Sequence, residues 1–292
     1  MKNYIPDNFI DLTVTSPPYD TLRNYKGYVF PFEDIANELY RVTKDGGVVV
    51  WVVGDETVKG SESGTSFRQA LYFMSCGFLL HDTMIYEKNG PAFPAKASGN
   101  RYSQISEYMF VFSKGKPKTA NLICDKRNRW EGWIGFGQPT QREKSGELVK
   151  NNRKPVSEFS PRFNTWRYYT GKNYTTKDDI AENHPAAFPE LLAFDHIRTW
   201  SMPGDIVLDP CAGSGTTLKI ANGMGRKYIG IDISEEYCKI AEIRSTIPYD
   251  CDEYSDRSMK ENSSRYPEDR QVKKEYAPKK ISSFEREKIL EF

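Results

Sequence analysis

The chain has 292 residues, 38% hydrophobic and 13% aromatic, enough for one large α/β domain with an insertion or for two small domains. Its longest apolar stretch, "VVVWVV" from Val48, is far too short to span a bilayer, and no basic-plus-apolar signal segment opens it. Five cysteines without a CxxC pair and three scattered histidines argue against a disulfide framework or a metal site and for a reducing cytosol.

The first element predicted is a strand. Ile10, Leu12 and Val14 alternate, and the run stops at Ser16-Pro17-Pro18-Tyr19, where two prolines cannot donate ladder hydrogen bonds. Phe32, Ile35, Ala36, Leu39 and Val42 share one helix face, and Gly46-Gly47 is expected to close that helix. "VVVWVVGD" (48–55) reads as a strand buried on both faces. A second helix is predicted over 66–77, then the strands "FLLHDTMIYEK" and "SEYMFVFSKG". Strands alternating with helices predict a doubly wound, mostly parallel α/β sheet.

After Gly115 the periodicity dissolves. Ser113–Lys177 holds fifteen Lys/Arg against five Asp/Glu, about +10, while the rest of the chain is about −9. This is either a footprint for a polyanion or a solvated basic loop region. Order returns with a helix near 189–200, the strand "DIVLDP", a helix near 216–224, the strand "KYIGIDI" and a helix near 235–246. From Asp250 the tail carries 21 charges in 43 residues and is expected to be disordered or a loosely docked helix. The domain reading is therefore 1–115, an insert over 116–183, 184–249, and the tail 250–292.

The chemistry concentrates in "DIVLDPCAGSGTTLKIANGMG" (205–225), which places strand, acidic turn, glycine loop and helix in order. A pyrophosphate loop would want a third glycine, yet Leu218 stands there and Asp209 would repel a phosphate. An acid beside a glycine turn suits an ammonium group instead. Asp232 ends the next strand, where a carboxylate can accept ribose hydroxyls. Ribose plus ammonium without phosphate describes S-adenosylmethionine. The plainer alternatives are a helix cap for Asp209 and a turn former for Asp232. In a parallel sheet Ser16 and Asp209 fall at the same carboxyl edge. There the Ser16 hydroxyl and the Pro17 carbonyl can accept hydrogen bonds from an exocyclic base amine, and Tyr19 offers a stacking face.

With these residues in place, the sequence resembles the amino-methyltransferases of DNA in their circularly permuted beta class. Their catalytic motif stands as Ser16-Pro17-Pro18-Tyr19 and their cofactor motif as "LDPCAGSGTT" (208–217), in the order catalytic block, target-recognition region, cofactor block. The resemblance implies a Rossmann-like fold with an inserted target-recognition region, and base flipping before transfer. It implies that Ser16, Pro17, Pro18 and Tyr19 hold the target base. Asp209, Cys211, Gly213, Ser214, Gly215 and Thr216 would surround the methionine part of the donor, with Asp232 on the ribose. Cys211 stands where relatives often have Phe and reads as structural. "HPAAFPE" would bring His184, Phe188 and Pro189 near the donor. Gly54 and Asp55 would line the same cleft, or Asp55 would cap the next element. Serine at the first motif position resembles the cytosine-N4 branch; the alternatives are an adenine-N6 enzyme and a catalytically impaired DNA-binding homologue.

Many relatives carry a "GD" strand segment and a helix before the catalytic strand, which this chain reaches about ten residues from Met1. Either the start lies upstream or the sheet lacks one element. For duplex DNA the candidate contacts are Arg127, Arg129, Arg162 and Arg167 in the insert, Arg23 and Tyr25 beyond the catalytic turn, and Arg101 and Tyr102 in a loop that could close over the cleft. Trp130, Trp133 and Trp166 are expected to form the small core of the insert. The resemblance further implies a prokaryotic or phage cytoplasm, with a second copy of the chain and a cognate restriction endonuclease as partners. Neither a membrane nor a metal is expected.

Overall fold

The computed structural model describes residues 1–19, 30–90, 101–133, 140–150, 154–183 and 187–263. Arg23, Tyr25 and His184 lie outside the described residues. The chain divides into two compact units, one of Met1–Leu122 with Asn164–Asn262 and one that includes Ile123–Phe163.

The first unit is built on a seven-stranded sheet. Its strands are β1 (Ile10–Thr15), β2 (Thr43–Val53), β3 (Leu79–Lys88), β4 (Ser106–Ser113), β5 (Thr165–Tyr168), β6 (Ile206–Asp209) and β7 (Lys227–Gly230), in the spatial order β5-β3-β4-β2-β1-β6-β7. β1 is parallel to both β2 and β6, and β6 is parallel to β7. β4 runs antiparallel to β2 and β3, and β5 parallel to β3. The carboxyl ends of β1, β2, β6 and β7 and the amino end of β4 therefore share one edge. That edge is where an open α/β sheet presents ligands.

Val48 to Val53 are all buried, as the unbroken apolar run requires. Val49, Trp51 and Val53 face α1 (Phe32–Val42) and α2 (Thr65–Ser75) in one cluster with Leu39, Phe73 and Phe112. The single polar atom this places in the core is satisfied, because Trp51 Nε1 donates to Gln69 Oε1 at 2.8 Å. Helices α3 (Glu190–Trp200), α4 (Thr216–Gly223) and α5 (Glu235–Ser245) succeed one another against β1, β6 and β7.

Three expectations differ from the structure. α1 ends at Val42 rather than at Gly46-Gly47. Buried, β-branched Thr43 pairs with Ile10 and opens β2 early. Gly46, at φ 79°, then carries the strand irregularity, and its N–H bonds the Lys114 carbonyl. Second, Thr165–Tyr168 falls inside the predicted insert but joins the sheet as β5, burying Trp166 and Tyr168. Third, where disorder or a loosely docked helix is expected in the charged tail, Cys251–Ser263 is a helix, α6, docked through buried residues rather than loosely. Its buried face joins Tyr254 to polar residues: Asn262 bonds both backbone groups of Arg167 at 2.9 and 3.1 Å, and Glu261 accepts the Tyr169 N–H at 2.9 Å.

In the second unit, Lys126–Arg127 pairs with Phe159–Ser160, and Thr140–Arg142 with Leu148–Lys150. No helix among the described residues is long and apolar enough to cross a membrane.

Candidate active site

β1 delivers the S-P-P-Y turn and β6 delivers Asp209, and the two are physically tied. Thr15, the last residue of β1, donates from Oγ1 to Asp209 Oδ1 at 2.7 Å. The Cys211 N–H reaches the same oxygen at 3.0 Å. Asp209 is 1% exposed, and its Oδ2 has no hydrogen-bond partner among the described residues. Burial pushes its carboxyl up to about 6, against the hydrogen bonds from Thr15 and Cys211 that favour the anion. A buried carboxylate oxygen without a donor is costly unless a ligand supplies one.

The glycine loop between β6 and α4 is held from both sides. Gly213, at φ 49°, donates its N–H to Asp232 Oδ2 at 2.8 Å, and the Ser234 N–H takes Asp232 Oδ1 at 2.9 Å. Gly215, at φ 80°, abuts α5 so closely that a Cβ would lie 2.6 Å from Ala241 Cα. Ser214 and Thr216 turn their hydroxyls inward to Arg244 Nη1, at 2.9 and 3.3 Å. That guanidinium also donates to the Ser214 carbonyl at 2.7 Å. Arg244 is fully buried and pairs with Asp178 and Glu190, which also share Lys219. Burial opposes ionisation of Asp178, but the bonds from Lys219 and Arg244 prevail and hold its carboxyl below the ordinary range. Cys211 is half-buried; burial raises its thiol well above the ordinary range, and the carboxylates of Asp209 and Asp232 add to that. All five cysteines are free thiols.

On the β1 side, Ser16 Oγ lies 2.8 Å from Tyr19 OH, and Tyr19 OH donates to Glu107 Oε2 at 3.1 Å. Glu107, at the start of β4, is ion-paired with Lys88. The Tyr19 ring lies over Gly54, where an added Cβ would stand 3.5 Å from it. Asp55 acts as a cap: it accepts the Ser66 N–H at 2.9 Å and the hydroxyls of Ser63 and Ser66 at the start of α2. Asp55→Ala should lower stability by about 1–2 kcal/mol, seen as a lower urea midpoint at an unchanged slope.

The other predicted residues divide. Pro189 is buried as the N-cap of α3, and Phe188 beside it is half-buried. Arg101 bonds the Gly60 carbonyl and Tyr102 is fully exposed; both line a cleft of about 440 Å³ with Asp55, Glu107 and Tyr108. Arg127 and Arg129 are exposed. Arg162 is not a surface cation: its side chain is 1% exposed and paired with Asp125. Arg167 is paired with Glu87 on the sheet. Trp130 stays 37% exposed, 6.2 Å from Trp133, and Trp166 packs against His196 in the other unit, ring centroids 4.7 Å apart. Among the described residues no group of three or more His, Cys, Asp or Glu is arranged to hold a metal.

Sequence reasoning missed Thr15, Glu107 and Arg244. The first carried a signal, a hydroxyl beside the serine predicted to be catalytic. The other two are single charges in apolar patterns, and only the fold brings them to the site.

A doubly wound sheet with an acid-bearing glycine loop tied to an S-P-P-Y turn defines a transferase for a nucleoside-like donor without phosphate. The chain belongs to the N6_N4_Mtase family, described as DNA methylase, whose sequence model matches residues 10–243. It is 60% identical over 245 residues to the orphan methyltransferase M.BamHII of Bacillus amyloliquefaciens, covering 84% of this chain and 91% of that one. It is 27% identical to the DNA adenine methyltransferase YhdJ of Escherichia coli, covering 81% and 76% of the two. The PvuII DNA methyltransferase (cytosine-N4-specific) shares the fold, with a TM-score of 0.58 at 20% identity over 88% of each chain. The DNA modification methylase TTHA0409 of Thermus thermophilus, solved with S-adenosyl-L-methionine, matches at a TM-score of 0.53 and 27% identity over 83% of this chain and 87% of that one.

Proposed function

We propose that this DNA methylase transfers a methyl group from S-adenosylmethionine to cytosine N4 in duplex DNA. The carrying observation is the 2.7 Å bond between Thr15 and Asp209. It ties the turn that would hold the target amine to the loop that would hold the donor.

The residues fit such a donor. The unpartnered, buried Asp209 Oδ2 suits its ammonium group. Asp232 retains lone pairs for ribose hydroxyls after accepting two backbone N–H groups. Gly213, Gly215 and half-buried Cys211 would form the loop around the methionine part, with Phe188 and Pro189 beyond it. Ser214 and Thr216, predicted as donor contacts, act from beneath through Arg244. When bound, S-adenosylmethionine supplies an electrophilic methyl on a sulfonium.

The chain's own residues orient the acceptor. An exocyclic base amine is a poor nucleophile because its lone pair is delocalised into the ring. The Ser16 hydroxyl and the Pro17 carbonyl accept its N–H bonds and aim the lone pair outward. β1 ends at Thr15, before that carbonyl, so no ladder partner competes for it. Tyr19 stacks on the extruded base. Of the four predicted insert arginines, Arg127 and Arg129 stay exposed to meet DNA phosphates. The order of catalytic strand, basic segment and cofactor loop supports the beta-class reading, and Ser16 supports cytosine.

The test is mass spectrometry of nucleosides after incubating duplex DNA with enzyme and donor. N4-methylcytosine is expected, and Ser16→Ala should slow its formation about a hundredfold. N6-methyladenine would overturn the cytosine assignment and favour the activity named for the Escherichia coli relative. No methylated base would favour a DNA-binding homologue without transfer.

A further inference from the structure

The chain Ser16–Tyr19–Glu107–Lys88 has a direction that the individual contacts do not state. The Glu107 carboxylate, paired with Lys88, can only accept, so Tyr19 must donate to it. Tyr19 has one proton and has committed it. The 2.8 Å contact between Tyr19 OH and Ser16 Oγ therefore has Ser16 as donor. Ser16 has then committed its own proton too, and its oxygen faces the site as an acceptor. Both links point the same way, from the site toward Glu107. Tyr19 is half-buried, and desolvation with the nearby Glu107 charge raises its phenol well above the ordinary value of 10.0, so it passes a proton on only as it receives one.

We propose that Ser16, Tyr19 and Glu107 form a relay that carries the proton of the target amine away during methyl transfer. The inference rests on the methyltransferase reading above. As the amine nitrogen bonds the methyl carbon, the carbon–sulfur bond breaks and its electron pair stays on sulfur. One N–H bond breaks and its pair stays on nitrogen. That proton goes to Ser16 Oγ, the Ser16 proton to Tyr19 OH, and the Tyr19 proton to Glu107 Oε2, which later releases it to solvent. The products are a neutral methylamino base and a neutral thioether. Glu107 acts through Tyr19 and never touches the base. Two of its neighbours, Asp55 and Tyr108, line the same cleft, so the far end of the relay opens on solvent.

Single-turnover transfer at saturating donor and DNA tests this with Tyr19→Phe, Glu107→Gln and the double variant. Tyr19→Phe keeps the stacking ring and removes only the hydroxyl. Each single substitution should slow transfer about a hundredfold, within the range for proton-transfer catalysis. The double variant should be no slower than either, because a wire cut twice conducts no worse than one cut once. The solvent deuterium effect seen in wild type should shrink in all three. A readout free of turnover is the infrared carboxylate band of donor-free protein: Tyr19→Phe should shift it in wild type but not in the Glu107→Gln background. Wild-type rates in both single variants, or hundredfold losses that multiply in the double variant, would overturn the relay while leaving the methyltransferase intact. A wild-type protein that methylates no base would remove the reading on which the relay rests.

Discussion

Asp209→Ala should weaken binding of S-adenosylmethionine about 10²- to 10³-fold, the cost of leaving one member of a buried charged pair alone. The loss has two sources. The donor's ammonium forfeits its carboxylate, and Thr15 forfeits the bond that aligns the two strand ends. The pH dependence separates these. Without donor, burial holds the Asp209 carboxyl near 6, against an ordinary value of 3.8. A cationic ammonium binds the ionised form, so below about pH 6 donor binding must expel a proton. Affinity should fall about tenfold per pH unit there and level off above. Asp209→Asn keeps the shape and should abolish that slope in a calorimetric titration. The sign for stability is opposite. A raised carboxyl favours the folded donor-free protein fully below about 3.8, and that contribution is lost as pH rises through about 6. At neutral pH the buried anion thus costs about 3 kcal/mol. On the proposed reading the donor's ammonium offsets that cost, as at functional sites that hold a destabilised group.

Replacing Arg244 by methionine should destabilise the donor-free protein by about 3–5 kcal/mol. The fully buried guanidinium is shared by Asp178, Glu190, Thr176 and the glycine loop. Removing it leaves two buried carboxylates facing Lys219 alone, and the Ser214 carbonyl loses the donor it has from α5. Urea denaturation reads the stability loss. Donor affinity should fall with it, because Ser214 and Thr216 are positioned from beneath. Arg244→Lys should recover only part of the loss, since an ammonium cannot span the loop and both acids at once. The same network reaches α6, where the Tyr254 hydroxyl donates to Glu190. The C-terminal helix is therefore part of the support of the cofactor loop.

The sheet was legible because its strands announce themselves. β2 is an unbroken apolar run, β1 alternates, and β6 leads directly into an acid and a glycine loop. The two ends of the site could be placed on one edge from the parallel topology alone. β5 escaped because its four residues sit in a segment dominated by charge, and its partner, Ile85–Lys88, lies some eighty residues earlier. The period-two signal of Trp166 and Tyr168 was there, inside aromatics assigned to the insert. α6 escaped for another physical reason. Besides the single aromatic Tyr254 it buries Ser258, Glu261 and Asn262, which bond a carboxylate and backbone groups, so no apolar periodicity exists to find. Arg162 illustrates the limit of charge counting. It adds to the net charge of the basic segment, yet Asp125 neutralises it out of solvent. Glu107 has no local signature, since it matters only because an antiparallel β4 returns it beside Gly54 and Tyr19.

The S-P-P-Y turn and the Asp209 loop are, on this account, two halves of one methyl-transfer site. Transfer of radiolabelled methyl from S-adenosylmethionine to duplex DNA, compared among wild type, Ser16→Ala and Asp209→Ala, tests it most directly. Wild type should label DNA, with initial rates about a hundredfold lower for Ser16→Ala and lower still for Asp209→Ala at limiting donor. DNA labelled at the wild-type rate by either variant would contradict the account.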